Sequence, residues 1–291
     1  MHTLQTVILG LALGGVYSLM ATGLTLIFGV MRIVNLSHGA FMILGAYLAY
    51  FGFTLYNIDP LLSLFIVTPL FFFLGIIIYK SIFPRITGSP RFMEMTILVA
   101  FGMALILEGA MGKYFTGVYR SANPSYVTDS IQFGELFIPT GQLYATIVSI
   151  VLLGLLWAFL NFSRLGYATR ATMQNRDAAQ IVGVNVERVS TISYGIGMAM
   201  AGASGSLISF LFTFFPNKHW QWIAILVSLI VLGGLGSFVG TLISALSLAV
   251  IASLVSNWFG PVWSPLTFFL SLFIVLLFRP QGLFGKKLEE E

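Results

Sequence analysis

Few side chains of this sequence could bind a polar solute, and four of them stand out because they interrupt strongly apolar segments. Asn35, Ser37 and His38 lie close together in "RIVNLSHGAF", where Arg32 is the only charged residue among the first 58. Glu108 lies inside the apolar stretch "ALILEGAMGKY". Polar and ionisable residues within membrane spans are often functional, so these four residues are the candidates for a translocation path or gate.

Each candidate also has a structural interpretation. Asn35 or Ser37 could cap the helix that follows, although capping would leave His38 unexplained. Glu108 could lie near the outer end of its span and pair with Lys113. The first apolar segment is too long for one straight span, which favours a helix break just after it. The N–H groups exposed at such a helix start would favour a carboxylate.

Catalytic and metal-binding chemistry is scarce elsewhere in the sequence. The chain has three histidines, ten acidic residues and no cysteines. No paired carboxylates recur along one helix, and no cluster of His, Asp and Glu has the spacing of a metal site. His2 and His219 are expected at a terminus and at a membrane edge. The phosphate-binding pattern GxxxxGK[ST] does not occur in the sequence, so we expect neither enzymatic activity nor a cofactor in this chain.

The composition of the chain is that of a membrane protein. Hydrophobic residues make up 58% of it and charged residues only 8%, whereas soluble domains carry about 25% charged residues. Its long, continuous apolar runs predict helices rather than the alternating strands of a membrane barrel. The net charge of +4 does not indicate nucleic-acid binding. The positions of the charged residues along the chain are more informative, because they predict its orientation in the membrane.

The apolar segments predict an all-α integral membrane protein of about nine spans, within a range of eight to ten, in a single transmembrane domain covering 1–291. The predicted segments are 3–30, 36–56, 61–80, 94–112, 141–161, 189–213, 221–236, 240–258 and 264–279. Because a span takes about 20 residues, the uncharged stretch 221–256 must form a hairpin. The expected turn of this hairpin is "GGLGSFVG" at 233–240.

Basic residues predict the orientation of the chain. With nine spans, eleven of the fourteen Lys and Arg residues fall on one side, and basic loops face the cytoplasm. We therefore expect the N-terminus outside and the C-terminus in the cytoplasm. The longest connections are then an outer loop at 113–140 and a cytoplasmic loop at 162–188.

Small residues recur four positions apart, a spacing that lets helix backbones pack closely. The chain has thirty glycines, and the candidates for close packing are Gly197, Gly205, Gly236 and Gly240. This pattern is typical of a compact helical bundle or an oligomer interface rather than a wide, charged ion pore.

The cytoplasmic loop is the most polar part of the sequence. Its segment "NRDAAQIVGV" predicts a short helix that Asn175 or Asp177 caps and Gly183 ends. The helix would carry a small apolar face made of Ala178, Ala179 and Val182. Such a helix suits a groove on a cytoplasmic partner, and contact of the neighbouring arginines with lipid headgroups is the alternative.

Four stretches, spread in order along the chain, carry a family resemblance. They are "GGVYSLMATGLTLIFGVMRIVNLSHGAFMILGAYLAY" at 14–50, "ATRATMQNRDAAQIVGVNVERV" at 168–189, "IVLGGLGSFVGTLISA" at 230–245 and "RPQGLFG" at 279–285. The first is similar to the N-terminal signature of permease subunits of branched-chain amino acid ABC importers, of the LivH type, and the other three resemble later stretches of the same family in the same order. Ala40 departs from the family pattern, because many relatives carry Glu there. Urea-type permeases share much of the first motif.

The resemblance implies a transport subunit of the prokaryotic plasma (inner) membrane. A solute-binding protein would deliver the amino acid from outside, and a homologous permease, different or identical, would complete the path. Two cytoplasmic ATPase subunits would bind ATP and Mg²⁺ and dock on the cytoplasmic loop. The residues that match the family's coupling loop are Thr169, Arg170, Gln174, Asn175, Ala178, Ala179 and Gly183. A urea or short-chain amide permease and an ion-coupled secondary carrier are the alternatives.

Overall fold

The computed structural model describes residues 2–87, 89–134, 136–279 and 281–285. Within these ranges the α-helices are α1 (His2–Met31), α2 (His38–Tyr56), α3 (Pro60–Ile86), α4 (Phe92–Phe115), α5 (Ser125–Thr128), α6 (Thr140–Phe162), α7 (Arg164–Gln174), α8 (Arg176–Ile181), α9 (Val186–Leu211), α10 (His219–Gly233), α11 (Phe238–Phe259) and α12 (Ser264–Phe278). Two 3-10 helices span Pro216–Lys218 and Pro261–Trp263, and the antiparallel strands β1 (Ser130–Phe133) and β2 (Leu136–Pro139) form a small hairpin. The predicted all-α architecture is confirmed.

Eight helical segments of the described chain are long and apolar enough to cross a membrane. They are α1, α2, α3, α4, α6, α9, α11, and α12 together with the 3-10 helix before it. The expected ninth span is the 15-residue helix α10, which is about 22 Å long and therefore shorter than the roughly 30 Å apolar core of a bilayer. The chain is a multi-pass membrane protein, and eight spans fall within the predicted range.

Helix α9 lies at the centre of the bundle. Its apolar window is 89% buried, whereas the windows of α3, α4 and α6 are each 22% buried. It packs against α1, α2 and α3. The stretch "GIGMAMAGASGS" at 195–206 explains this position, because small side chains let three neighbouring backbones approach one helix.

Two of the predicted packing glycines lie at these close approaches. A Cβ on Gly197 would stand 2.8 Å from the carbonyl oxygen of Gly23 on α1, and a Cβ on Gly205 would overlap the carbonyl oxygen of Met42 on α2. Both positions therefore bring α9 against a neighbouring backbone with no room for a side chain.

The other two predicted packing glycines shape the turn between α10 and α11. Gly236 has a φ of 82°, in the left-handed region that favours glycine. A Cβ on Gly240 would overlap the carbonyl oxygen of Gly233, where α10 ends. The hairpin predicted for 221–256 thus turns at the predicted segment 233–240.

Hydrogen bonds show which loops share each end of the bundle. Gln5 Nε2 donates to the carbonyl oxygen of Phe137, 3.3 Å away, so the N-terminal end of α1 lies beside the connection 116–139. At the opposite end, the backbone N–H of Leu283 donates to the carbonyl oxygen of Leu232 at 2.8 Å. The assignment of these two ends to the outside and the cytoplasm stays a prediction from the charge distribution.

Candidate functional site

The segment between α1 and α2 turns back into the bundle. α1 ends at Met31, and Arg32 adopts a positive φ of 57°. His38 Nε2 then lies 3.3 Å from the carbonyl oxygen of Met20, which is about 16 Å back along the axis of α1. The predicted helix break is present, and it starts α2 deep inside the protein rather than at its end.

Asn35 organises this break. Its Oδ1 accepts hydrogen bonds from the hydroxyl of Ser37 at 2.6 Å and from the backbone N–H of Ser37 at 3.2 Å. Its Nδ2 donates to the hydroxyl of Tyr194 on α9 at 3.3 Å. In the described break the Ser37 side chain accepts no capping bond from the N–H groups of α2, and its hydroxyl donates to Asn35. Asn35 therefore ties the break to the central helix.

The three polar residues of the break are inaccessible in this conformation. Asn35 is 1% exposed, and Ser37 and His38 are fully buried. His38 Nδ1 has no hydrogen-bond partner among the described residues. A buried polar atom without a partner is unfavourable, so this part of the bundle is a candidate for rearrangement or for ligand contact.

Replacing Asn35 with Ala is expected to destabilise the protein by about 1–3 kcal/mol, because the hydroxyls of Ser37 and Tyr194 would lose their buried partner. Ser37→Ala is the matched control, since Asn35 would keep its bond to Tyr194. Protein level in the membrane and uptake per molecule, measured together, check this. The two variants could instead reach equal protein levels in the membrane, with uptake per molecule reduced only for Asn35→Ala. That result would contradict a structural role for the hydrogen bonds of Asn35.

Glu108 makes contacts that differ from the expected pairing with Lys113. Its Oε2 accepts a hydrogen bond from Trp220 Nε1 at 2.9 Å and lies 3.0 Å from His219 Nε2. His219 is fully buried, and its expected place at a membrane edge stays a prediction. The sequence signal for this residue was its place at the start of the apolar stretch that becomes α10, directly before Trp220.

The starts of α2 and α10 meet inside the bundle. A Cβ on Gly39, the second residue of α2, would stand 2.7 Å from the carbonyl oxygen of His219, the first residue of α10. In the described chain, no side chain caps the first turn of either helix. His219 thereby lies between Glu108 and the start of α2. The side chains of Asn35 and Ser37 bond to each other, and Asn35 also bonds to Tyr194.

Two uncapped helix starts and a carboxylate form a site with both signs of charge. The N-terminus of a helix carries a partial positive charge and attracts carboxylates. Discontinuous helices that begin near the bilayer midplane form substrate sites in many transporters. No group of three His, Asp or Glu residues in the described chain is placed to bind a metal ion.

The loop between α6 and α9 folds into the helices α7 and α8. Asn175 caps α8, because its Oδ1 accepts from the backbone N–H groups of Asp177 at 3.1 Å and Ala178 at 3.0 Å. Gly183 follows the helix with a φ of 87°. Asn175 is thus the cap among the two candidates, and the predicted short helix is present at Arg176–Ile181.

The apolar face of α8 differs from the expected one. Ala179 is 3% exposed and packs into the protein, whereas Ile181 and Val182 are 86% and 76% exposed. Ala178 is also exposed. The apolar surface available to a partner is therefore Ala178, Ile181 and Val182. Ala179 packs on the side of the helix that faces the protein.

The other predicted coupling residues lie on α7 or at its end. Thr169 is buried and bonds to the carbonyl oxygen of Leu165 at 2.8 Å. Arg170 donates to Asn161 Oδ1 at 2.8 Å and lies over the ring of Tyr167 at 5.0 Å. Gln174 is exposed beside α8. Together α7 and α8 form a partly exposed platform.

Comparison with known proteins places the chain in a family. The pattern of the family described as "Branched-chain amino acid transport system / permease component" matches residues 6–278. The permease protein BraD of Pseudomonas aeruginosa, named for high-affinity branched-chain amino acid transport, is 28% identical and covers 98% of this chain and 96% of its own length. LivH of Escherichia coli, with the same naming, is 26% identical over 98% of this chain and 96% of its own.

An archaeal relative extends the comparison. The probable LivH of Methanocaldococcus jannaschii is 29% identical and covers 92% of this chain and 88% of its own length. No solved structure matches the chain. Because the family pattern covers nearly all of the sequence, this chain belongs to the permease components of branched-chain amino acid transport systems.

Proposed function

We propose that this chain is a transmembrane permease subunit of an ATP-driven (ABC) importer that moves branched-chain or other aliphatic amino acids into the cytoplasm by alternating access. The match to the permease family across residues 6–278 carries this proposal. The relatives that cover almost the whole chain are named for high-affinity branched-chain amino acid transport.

The partners follow from the surfaces and the family. Two cytoplasmic ATPase subunits bind ATP and Mg²⁺ and dock on the platform of α7 and α8, whose exposed Ile181 and Val182 support such a contact. A homologous permease, different or identical, completes the path, and an extracytoplasmic binding protein delivers the amino acid to the end that carries 116–139. The complex lies in the prokaryotic inner membrane.

The residues take two roles in this proposal. Asn35, Ser37, His38 and Glu108 belong to the translocation path or its gate, at the mid-depth meeting of α2 and α10. The family's coupling residues form or support the docking platform: Thr169, Arg170, Gln174, Asn175, Ala178, Ala179 and Gly183. Movement of the ATPases would be transmitted through α7, which packs against both α1 and α9.

Reconstitution tests the proposal. The chain is placed in vesicles with its partner permease, the ATPases and the binding protein, and uptake of radiolabelled leucine is measured with and without ATP inside. We expect uptake only with ATP and only in the complete complex. Uptake by this chain alone, driven by a proton or sodium gradient, would show a secondary carrier. ATP-driven uptake of urea without leucine uptake would show the urea-type alternative.

A further inference from the structure

Glu108 lies inside the membrane-spanning part of α4 rather than at its end. α4 runs from Phe92 to Phe115, so Glu108 is about 10 Å from the end of the helix that leads into 116–139. The helix is about 36 Å long and the apolar core of a bilayer about 30 Å thick, so a centred α4 keeps this carboxylate within the core. Contact of a carboxylate with lipid at this depth is strongly disfavoured.

Two donors hold one oxygen of this carboxylate and leave the other free. Both hydrogen-bond contacts, from Trp220 Nε1 and His219 Nε2, end on Oε2. Among the described residues no donor reaches Oε1, and the side chain is 20% exposed. Because His219 and Trp220 begin α10, the carboxylate lies beside the N-terminal end of that helix. A partly exposed carboxylate thus keeps one oxygen, Oε1, without a donor among the described residues.

The surface around this oxygen suits a small aliphatic molecule. Leu105 and Gly112 share the face of α4 with Glu108, since they lie three residues before and four after it. Leu105 is 47% exposed. No other part of the described chain lies within 4 Å of the position that a Cβ on Gly112 would take. The carboxylate thus has an apolar neighbour on one side and open space on the other.

We infer that this face of α4 lines the translocation path and that Oε1 of Glu108 binds the α-ammonium group of the transported amino acid. The inference rests on the proposed function and adds the part of the substrate that this chain recognises. An aliphatic amino acid offers a primary ammonium next to a branched side chain, and the face offers a carboxylate next to Leu105. Ion pairs of this kind are strong where water is partly excluded.

His219 and Trp220 act in this inference as positioning residues. Their contacts to Oε2 fix the orientation of the carboxylate and leave Oε1 without a donor among the described residues. Trp220 is itself held by its ring contact with Phe101 at 5.4 Å. Trp220→Phe removes the indole N–H but keeps an aromatic ring. It should therefore loosen the carboxylate of Glu108 while keeping the ring contact with Phe101.

Cysteine labelling tests whether the face meets water. The chain has no cysteines, so single substitutions report one position each. Gly112→Cys on the Glu108 face is compared with Ile106→Cys, which is 72% exposed on the opposite face of α4. In vesicles of the whole complex, a membrane-impermeant thiol reagent should modify Gly112→Cys at least about tenfold faster. Equal rates would overturn the inference, and Leu105→Cys repeats the comparison if Gly112→Cys does not assemble.

Uptake measurements test the binding and positioning roles. Glu108→Gln keeps the size of the side chain and should lower ATP-driven leucine uptake at least about tenfold. Trp220→Phe should lower uptake about threefold to tenfold with unchanged assembly, and should add nothing further to Glu108→Gln. Wild-type uptake by Glu108→Gln would overturn the binding role. A multiplicative loss in the double variant would overturn the positioning role.

Failure of ATP-driven transport and failure of ammonium binding by Glu108 give different experimental results. If the wild-type complex shows no ATP-driven uptake in the same vesicles, the proposed function fails, and the labelling rates still report whether the α4 face meets water. If the wild-type complex transports leucine and Glu108→Gln transports it equally well, only the inference about the ammonium group fails.

Discussion

Val182→Asp is expected to lower ATP-driven uptake at least about tenfold and to abolish co-purification of the ATPase subunits. Val182 is 76% exposed directly after α8 and lies beside Ile181, which is 86% exposed. A carboxylate buried without a partner in a protein interface costs about 2 kcal/mol or more, and each 1.4 kcal/mol is a tenfold change in affinity. The folded subunit should tolerate the change, because the side chain contacts little of its own chain.

The control for this prediction carries the same substitution at another exposed valine. Val262 is 87% exposed and lies in the 3-10 helix Pro261–Trp263, at the end of the bundle away from α8. Val262→Asp should leave the ATPase subunits attached. Membrane level and detergent stability are measured for both variants. Intact complexes of Val182→Asp with normal uptake would show that α8 is not the docking element.

Docking on α8 is tested better at the exposed residues Ile181 and Val182 than at the buried Ala179. Ala179 is 3% exposed, so a charge there would disturb the fold of the loop as well as any docking. Loss of the complex after an Ala179 substitution would therefore have two explanations. Val182→Asp separates them because its side chain already faces away from the protein.

The sequence predicts the class of fold because the composition leaves few alternatives. Long apolar runs require helices, and their boundaries follow from Gly, Pro and charged residues. The hairpin at 233–240 and a cap of α8 by Asn175 or Asp177 could be predicted for the same local reason, and the structure identifies the cap as Asn175. The break at 32–37 was also predicted, because polar residues follow a first segment that is long for one straight span.

The contacts of the candidate site depend on tertiary packing and could not be read from local sequence. Glu108 and His219 are 111 residues apart, and Lys113 is the partner that helix spacing alone suggests. The position of His219 depends on the depth at which α10 begins, and this depth follows from its contact with Gly39. Hydropathy marks the presence of an apolar helix, whereas its depth in the bundle is set by its neighbours.

The burial of Ala179 has a similar cause. The sequence pattern groups Ala178, Ala179 and Val182 as small apolar residues on a short helix. The packing of α8 against α9 decides which of them faces the protein. Of the three, only Ala179 is buried. A six-residue helix is too short for periodicity to define an inner and an outer face.

Gly205→Ala is expected to destabilise the bundle by roughly 1–3 kcal/mol or more, because a Cβ at this position would overlap the carbonyl oxygen of Met42. The Cβ would also stand 2.8 Å from the backbone nitrogen of Ala46. Both contacts are with the backbone of α2, which cannot rotate away as a side chain can. Relief would require α2 to move away from α9, together with the break that α2 carries at its start.

Gly102→Ala is the matched control on another membrane helix. No other part of the described chain lies within 4 Å of a Cβ at Gly102. Ala is favoured over Gly inside a helix by about 0.5–1 kcal/mol, so this variant should be equally or more stable. The midpoint of thermal unfolding in detergent is measured for both variants. It should fall for Gly205→Ala and should stay equal or rise for Gly102→Ala. If Gly205→Ala is as stable as the wild type, α2 and α9 are not in backbone contact, and the buried position of the break would have to be rejected with it.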